Sequence, residues 1–213
     1  EPSNPWVTGV DLLFTREFYA MAREHLSKGG ILLQWTQLYC SGPPMLGMIF
    51  NTLRQEFPQS HAFLTDSSDL LIVASNGKLT ADDLQSAGKI LENNPAVRAS
   101  LSEIGFASLD AILMREVWTP SFIASSFGDY GIQTMDNPRL HYMAGKFFFT
   151  GEGIGEKDLY SAEASSDASN FLIAAKLGTW ESLHLPDYVM SRLLSLVKGS
   201  PAAALKTLVS SLI

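Results

Sequence analysis

The chain has 213 residues, 46% of them hydrophobic and 17% charged, with a net charge of −7 and 15 scattered basic residues. This is the composition of a folded globular protein, and its acidic balance argues against nucleic acid, whose phosphates are met by clustered Lys and Arg. No apolar run approaches the ~20 residues that span a bilayer, and Glu1-Pro2-Ser3-Asn4-Pro5 lacks the basic-then-apolar plan of a signal peptide.

Phe14, Phe18, Ala22 and Leu26 recur every four residues and predict a helix over about 13–28, stopped by Gly29-Gly30. Glu17 suits the positive end of that helix. The apolar run Ile31-Leu32-Leu33-Gln34-Trp35-Thr36-Gln37 reads as a buried strand. Pro43-Pro44 can open a second helix, with Leu46, Ile49, Phe50 and Leu53 on one face and Pro58 beyond its end. His61–Thr65 and Leu70–Ala74 read as two strands, and the short Asp66-Ser67-Ser68-Asp69 between them predicts an antiparallel hairpin.

From Thr80 the pattern turns to short helices. Thr80 with Asp83 has the form of a capping box, and Asn94-Pro95, Ser108 and Thr119-Pro120 are further helix starts. Tyr142–Thr150 reads as strand-like. Residues 151–170, rich in Gly, Ser, Ala and acids, read as a linker, and three apolar stretches in 171–213 as a helical appendage.

Few residues stand out as chemistry. The lone Cys40 allows no internal disulfide and fits a reducing, cytoplasmic compartment. His25, His61, His141 and His184 are too far apart for a recognisable metal pattern, so no metal is expected. Gly151-x-Gly153-x-Gly155 imitates a phosphate-binding turn, but no convincing helix follows directly and a linker is the better reading.

Two linked stretches carry a family resemblance. Glu1-Pro2-Ser3-Asn4-Pro5-Trp6, followed by Leu13-Phe14-Thr15-Arg16-Glu17-Phe18-Tyr19, resembles the spermidine and spermine synthase family, in which an acidic D-S-S-D-P loop precedes a helix opening L-F-x-x-x-F/Y-Y. Gly29–Gln34 matches that family's next turn and strand. Thr134–Leu140 resembles a segment near the end of larger bacterial spermidine-synthase-like proteins, some of them fused to membrane-spanning segments. The likeness covers residues 1 to about 148.

The resemblance implies an α/β chain: the C-terminal half of a Rossmann-like class I methyltransferase fold, with its last strands in the order 5-7-6, strand 7 antiparallel, and a helical C-terminal region. Residues 1–150 would be the C-terminal part of the spermidine-synthase-like domain. The groups that bind the donor, S-adenosylmethionine or its decarboxylated form, would lie upstream of residue 1, so this segment would hold no cofactor of its own. The expected partners are that missing N-terminal half, a small-molecule amine and a second copy of the chain, with no nucleic acid and no membrane contact.

In the family the first loop acid orients the attacking amine and takes its proton, and Glu1 matches it. The second acid, which helps hold a diamine, is matched by Asn4, a loss of charge where a cationic amine would want one. Gln34 matches a family Gln near the reacting groups and is expected at the end of its strand; an edge-of-core Gln bonded to backbone is the competing account. Trp6, Trp35 and Tyr39 could wall a pocket or belong to the core. Asp69 could face the cleft or serve the hairpin turn. Thr134–Leu140 is expected to be a clasp, with Arg139 paired to an acid. The implied activity is aminopropyl transfer to an amine; a methyltransferase with another acceptor and a non-catalytic interaction domain are the alternatives.

Overall fold

The structure is a computed structural model that describes residues 4–65, 68–106, 108–113, 115–154 and 159. A 3₁₀ turn, Val10–Phe14, leads into helix α1, Arg16–His25. The two are separated by Thr15, which is extended and whose hydroxyl accepts the Phe18 N–H at 3.2 Å. The single helix expected over 13–28 is therefore shorter, because Thr15 is a better N-cap than an interior residue. Gly29, with φ 76°, makes the turn into strand β1, Ile31–Gln37.

Helix α2, Pro43–Glu56, follows, with proline in its first turn. Strands β2, Gln59–Leu64, and β3, Asp69–Ser75, form the expected antiparallel hairpin. Helices α3, Ala81–Glu92, α4, Pro95–Glu103, and α5, Leu109–Leu113, precede a short strand β4, Glu116–Trp118. Helices α6, Pro120–Phe127, and α7, Arg139–Thr150, complete the described elements.

The four strands form one sheet in the order β1-β3-β2-β4, and every neighbouring pair is antiparallel. With seven α-helices among the described residues, the chain is α/β in content. Gln34 stands opposite Ile72 and Gln37 opposite Asp69, while β2 meets β4 through a register shift at Ala62/Phe63.

Alternation sorts the sheet into two faces. Leu70, Ile72, Ala74, Ala62 and Leu64 turn into a core shared with Met45, Ile49, Phe50 and Leu53 of α2. On the other face of β1, Ile31 is 43% and Leu33 59% exposed. β1 is also an edge strand, with no partner along its outer side among the described residues. Tyr19 is buried in the core with its hydroxyl unpaired, and that burial pushes the phenol far above the ordinary tyrosine range.

Residue contacts place the sheet with α1, α2, α6 and α7 in one unit and α3–α5 in another. In the second unit Thr80 and Asp83 form a reciprocal capping box, and this hydrogen bonding holds the Asp83 carboxyl below its usual range. Asn94 caps α4 through the Val97 N–H, and Ser108 accepts from Ala111. In the first unit Thr119 caps α6.

Tyr142–Thr150, expected to be strand-like, is helical. Its aromatic residues suggest strand propensity, but Leu140 and Ala144 are buried four residues apart, with Met143 and Phe147 packed against the same core. Of the expected linker, residues 151–154 and 159 are described, and they are tied down: Ser41 N–H donates to Glu152 O at 3.0 Å, Ile154 N–H to Leu38 O at 2.9 Å and Trp118 Nε1–H to Leu159 O at 2.8 Å. The expected appendage 171–213 lies outside the described residues.

Candidate functional site

The polar and aromatic groups singled out in the sequence converge, in part, at the carboxyl end of β1. The pairing with the β3 side runs one residue past Gln37, through Leu38 N–H to Ser68 O at 2.7 Å, and the backbone then leaves it, passing through Cys40 with φ 45°. A positive φ at a residue other than glycine costs conformational energy, so the loop must be held in place by its contacts. Those contacts are the backbone bonds from Ser41 to Glu152 and from Ile154 to Leu38, and the hydrogen bond from Tyr39 to Asn4.

Tyr39 Oη donates to Asn4 Oδ1 at 3.3 Å, and its ring meets Trp6 edge-on at 6.2 Å. Trp6 also lies 5.2 Å from Phe148 of α7. Asn4, Trp6 and Tyr39 are thus brought together, and Tyr39 remains 40% exposed. Glu1 lies outside the described residues.

Gln34 is not at the strand end. It is the fourth of seven residues in β1, buried on the core face, and its Nε2 donates to the neighbouring Trp35 carbonyl at 3.0 Å. The seven-residue apolar run disguised the register: an alternating strand puts Gln34 and Gln37 on opposite faces. The amide at the strand end is that of Gln37. It is 0% exposed, and neither its Oε1 nor its Nε2 has a hydrogen-bond partner. Asp69, the first residue of β3, faces Gln37 across the strands, and its backbone carbonyl accepts from Thr65. Trp35 lies on the same face as Gln37 and is partly buried.

A second buried polar pair escaped sequence reading. His61 Nδ1 lies 2.5 Å from Glu116 Oε1, linking β2 to β4. The residues are far apart in sequence, and only the pairing of β2 with β4 brings them together. The carboxylate orients the imidazole, but with side-chain exposures of 5% and 0% the pair is enclosed.

The clasp expected at Thr134–Leu140 is anchored mainly by the residue before it. Gln133 N–H donates to Thr52 Oγ1 at 2.9 Å, Gln133 Nε2 to Asp11 Oδ2 at 3.3 Å, and Gln133 Oε1 accepts from Leu140 N–H at 2.9 Å. Met135 N–H adds a bond to Glu17 Oε2 at 3.1 Å. Arg139 forms no ion pair among the described residues; its guanidinium lies over Gly131, where an added Cβ would come within 2.7 Å of Nη1. The glycine pattern after α7 also has a structural use: Gly151, at φ 68°, caps the helix, and Gly153 runs against the Leu38–Cys40 loop.

No cluster of three or more His, Cys, Asp or Glu side chains suited to a metal ion occurs among the described residues. No helix there is long and apolar enough to cross a membrane. Chemically, the strand-end arrangement offers amide and carboxylate oxygens beside aromatic rings, a set suited to an ammonium group rather than to an anion. Comparisons with protein-family models, with curated proteins and with solved structures find no match for this chain.

Proposed function

We propose that the chain is the C-terminal part of a spermidine-synthase-like transferase, inactive by itself and completed by an N-terminal half that binds S-adenosylmethionine or decarboxylated S-adenosylmethionine. The observation that carries this reading is the strand order β1-β3-β2 with β3 antiparallel to both neighbours, the order that the resemblance implies for the last three strands of a Rossmann-like methyltransferase fold. The open edge of β1, flanked by exposed Ile31 and Leu33, adds support, since an uncharged apolar edge calls for a further strand.

In the proposed reaction the amine nitrogen attacks the carbon beside the donor's sulfonium. The carbon–sulfur bond breaks, its electron pair stays on sulfur to give a neutral thioether, and the amine's proton passes to the Glu1 carboxylate. Asn4 favours a second reading, a non-catalytic domain that keeps the fold. It lacks the charge a diamine would want, and its side-chain oxygen already accepts from Tyr39.

The test is product formation from decarboxylated S-adenosylmethionine with a panel of amines, using a chain extended through the N-terminal half. Glu1→Gln is expected to lower turnover about 10²–10⁴-fold with little effect on donor affinity. Asn4→Asp is expected to improve putrescine as acceptor. Absence of product with every amine would remove aminopropyl transfer and leave the second reading.

A further inference from the structure

A buried primary amide with both ends unpaired is costly, because the donor and the acceptor have each lost water without replacement. Gln37 is such a group, at the end of a strand and opposite a carboxylate. Thr36, next to it, also has a buried unpaired hydroxyl, but it points to the core face and stands opposite Leu70 rather than a charged residue. Among the described residues, Gln37 combines an unpaired buried amide with the Asp69 position opposite it, two residues before the Tyr39 that meets Asn4 and Trp6.

We infer that Gln37 and Asp69 receive the non-reacting ammonium group of an aliphatic diamine. This rests on the transferase reading for the identity of the site. Gln37 Oε1 and the Asp69 carboxylate accept from the –NH₃⁺ group, which has three donors and no acceptor. The charge that Asn4 fails to supply then comes from β3 instead of the first loop. Gln34 has no part in this, because its amide is engaged with its own backbone.

The inference separates two effects that usually travel together. If the amide is unpaired in the free protein, Gln37→Leu should raise the melting temperature, since an apolar side chain of similar size removes an unmet polar group. The same change should weaken diamine binding at least tenfold. Thr36→Val should also raise the melting temperature yet leave the diamine response intact.

The experiment is thermal unfolding of the 213-residue chain, titrated with putrescine and with butane-1,4-diol as the uncharged control. The expected result is a rise in melting temperature with putrescine alone, lost in Gln37→Leu and kept in Thr36→Val. Gln37→Glu, which adds a second carboxylate, should keep or strengthen the response and serves if the leucine variant does not fold. A wild-type chain indifferent to putrescine, a folded Gln37→Leu chain that keeps the putrescine response, or a Gln37→Glu chain that loses it would overturn the assignment. Putrescine binding here without aminopropyl product in the extended chain would sink the transferase reading alone. Product formation with an unchanged putrescine KM in Gln37→Leu would sink this site alone.

Discussion

Helices α2 and α4 both open with proline, yet they are kept by different forces. In α2 every residue from Met45 to Leu53 is buried, and its N-cap, Gly42, offers no side-chain hydrogen bond. In α4 no residue is buried, and Asn94 supplies the cap. Local signals can therefore start a helix, but tertiary packing decides how much of the fold depends on it. α3, with its capping box and, among its described side chains, Leu84 and Leu91 buried, lies closer to α4.

Removing an aromatic ring from α2 should sharpen the contrast most. Phe50 is fully buried, 5.2 Å from Trp118 and 5.3 Å from Phe127 by ring centroids. Phe50→Ala should cost about 3–5 kcal/mol, read as a lower denaturant midpoint for the sheet unit. A loss below about 1 kcal/mol would break the comparison, because α2 would then depend on packing no more than α4 does.

Overfilling the same helix should cost less. A Cβ at Gly47 would press into the Tyr130 ring. Gly47→Ala should therefore destabilise by about 1–3 kcal/mol despite alanine's better helix propensity. A stabilised variant would mean that Tyr130 swings away freely, which its near-UV circular dichroism would reveal.

The smallest effect belongs to the exposed cap of α3. Thr80→Ala should fray the first turn, seen as faster hydrogen exchange there with the sheet unaffected. Acid should act the same way. Thr80 holds the Asp83 pKa down in the folded state, so the cap's contribution is present above the unfolded carboxylate range, about pH 4, and fades as pH falls through the lower folded value. Protection of the α3 amides, relative to their intrinsic exchange rate, that does not change between about pH 5 and about pH 2.5 would show that the box adds nothing.

The same division explains what was legible in the sequence. Pro43-Pro44, Thr80 with Asp83, Asn94-Pro95 and Thr119-Pro120 act within one turn of chain, and each marks a helix start in the structure. The β2–β3 hairpin is equally local. β4 was not legible: three residues carry no usable period, and they become a strand only by pairing with Ala62 and Phe63. For the same reason the His61–Glu116 contact had no signal in the sequence. α7 misled because its aromatic residues mask the four-residue spacing of Leu140 and Ala144.

The candidate site was legible by residue type more than by position. Trp6, Tyr39 and Asn4 do meet, although they come from different segments. Gln34 is bonded to backbone, as its competing account had it, and a run of apolar residues conceals which way each side chain points. Gln37 could be recognised only once its surroundings were known, since an unmet hydrogen bond is a property of three-dimensional neighbours.

The route between β3 and β4 has a consequence for how this chain tolerates change in length. Both strands flank β2, so they lie about 10 Å apart across the sheet. Ser75 stands opposite Gln59 and Glu116 opposite Phe63, an offset of about 13 Å along β2 at the usual strand rise. A direct connection would need to cover about 16 Å, within reach of roughly six extended residues. Everything from Asn76 to Arg115 is thus a detour, and the sheet's register asks only that its two ends return to the same place. Helices can be lengthened, shortened or exchanged along that detour while the pairing of β1, β3 and β2 keeps its register.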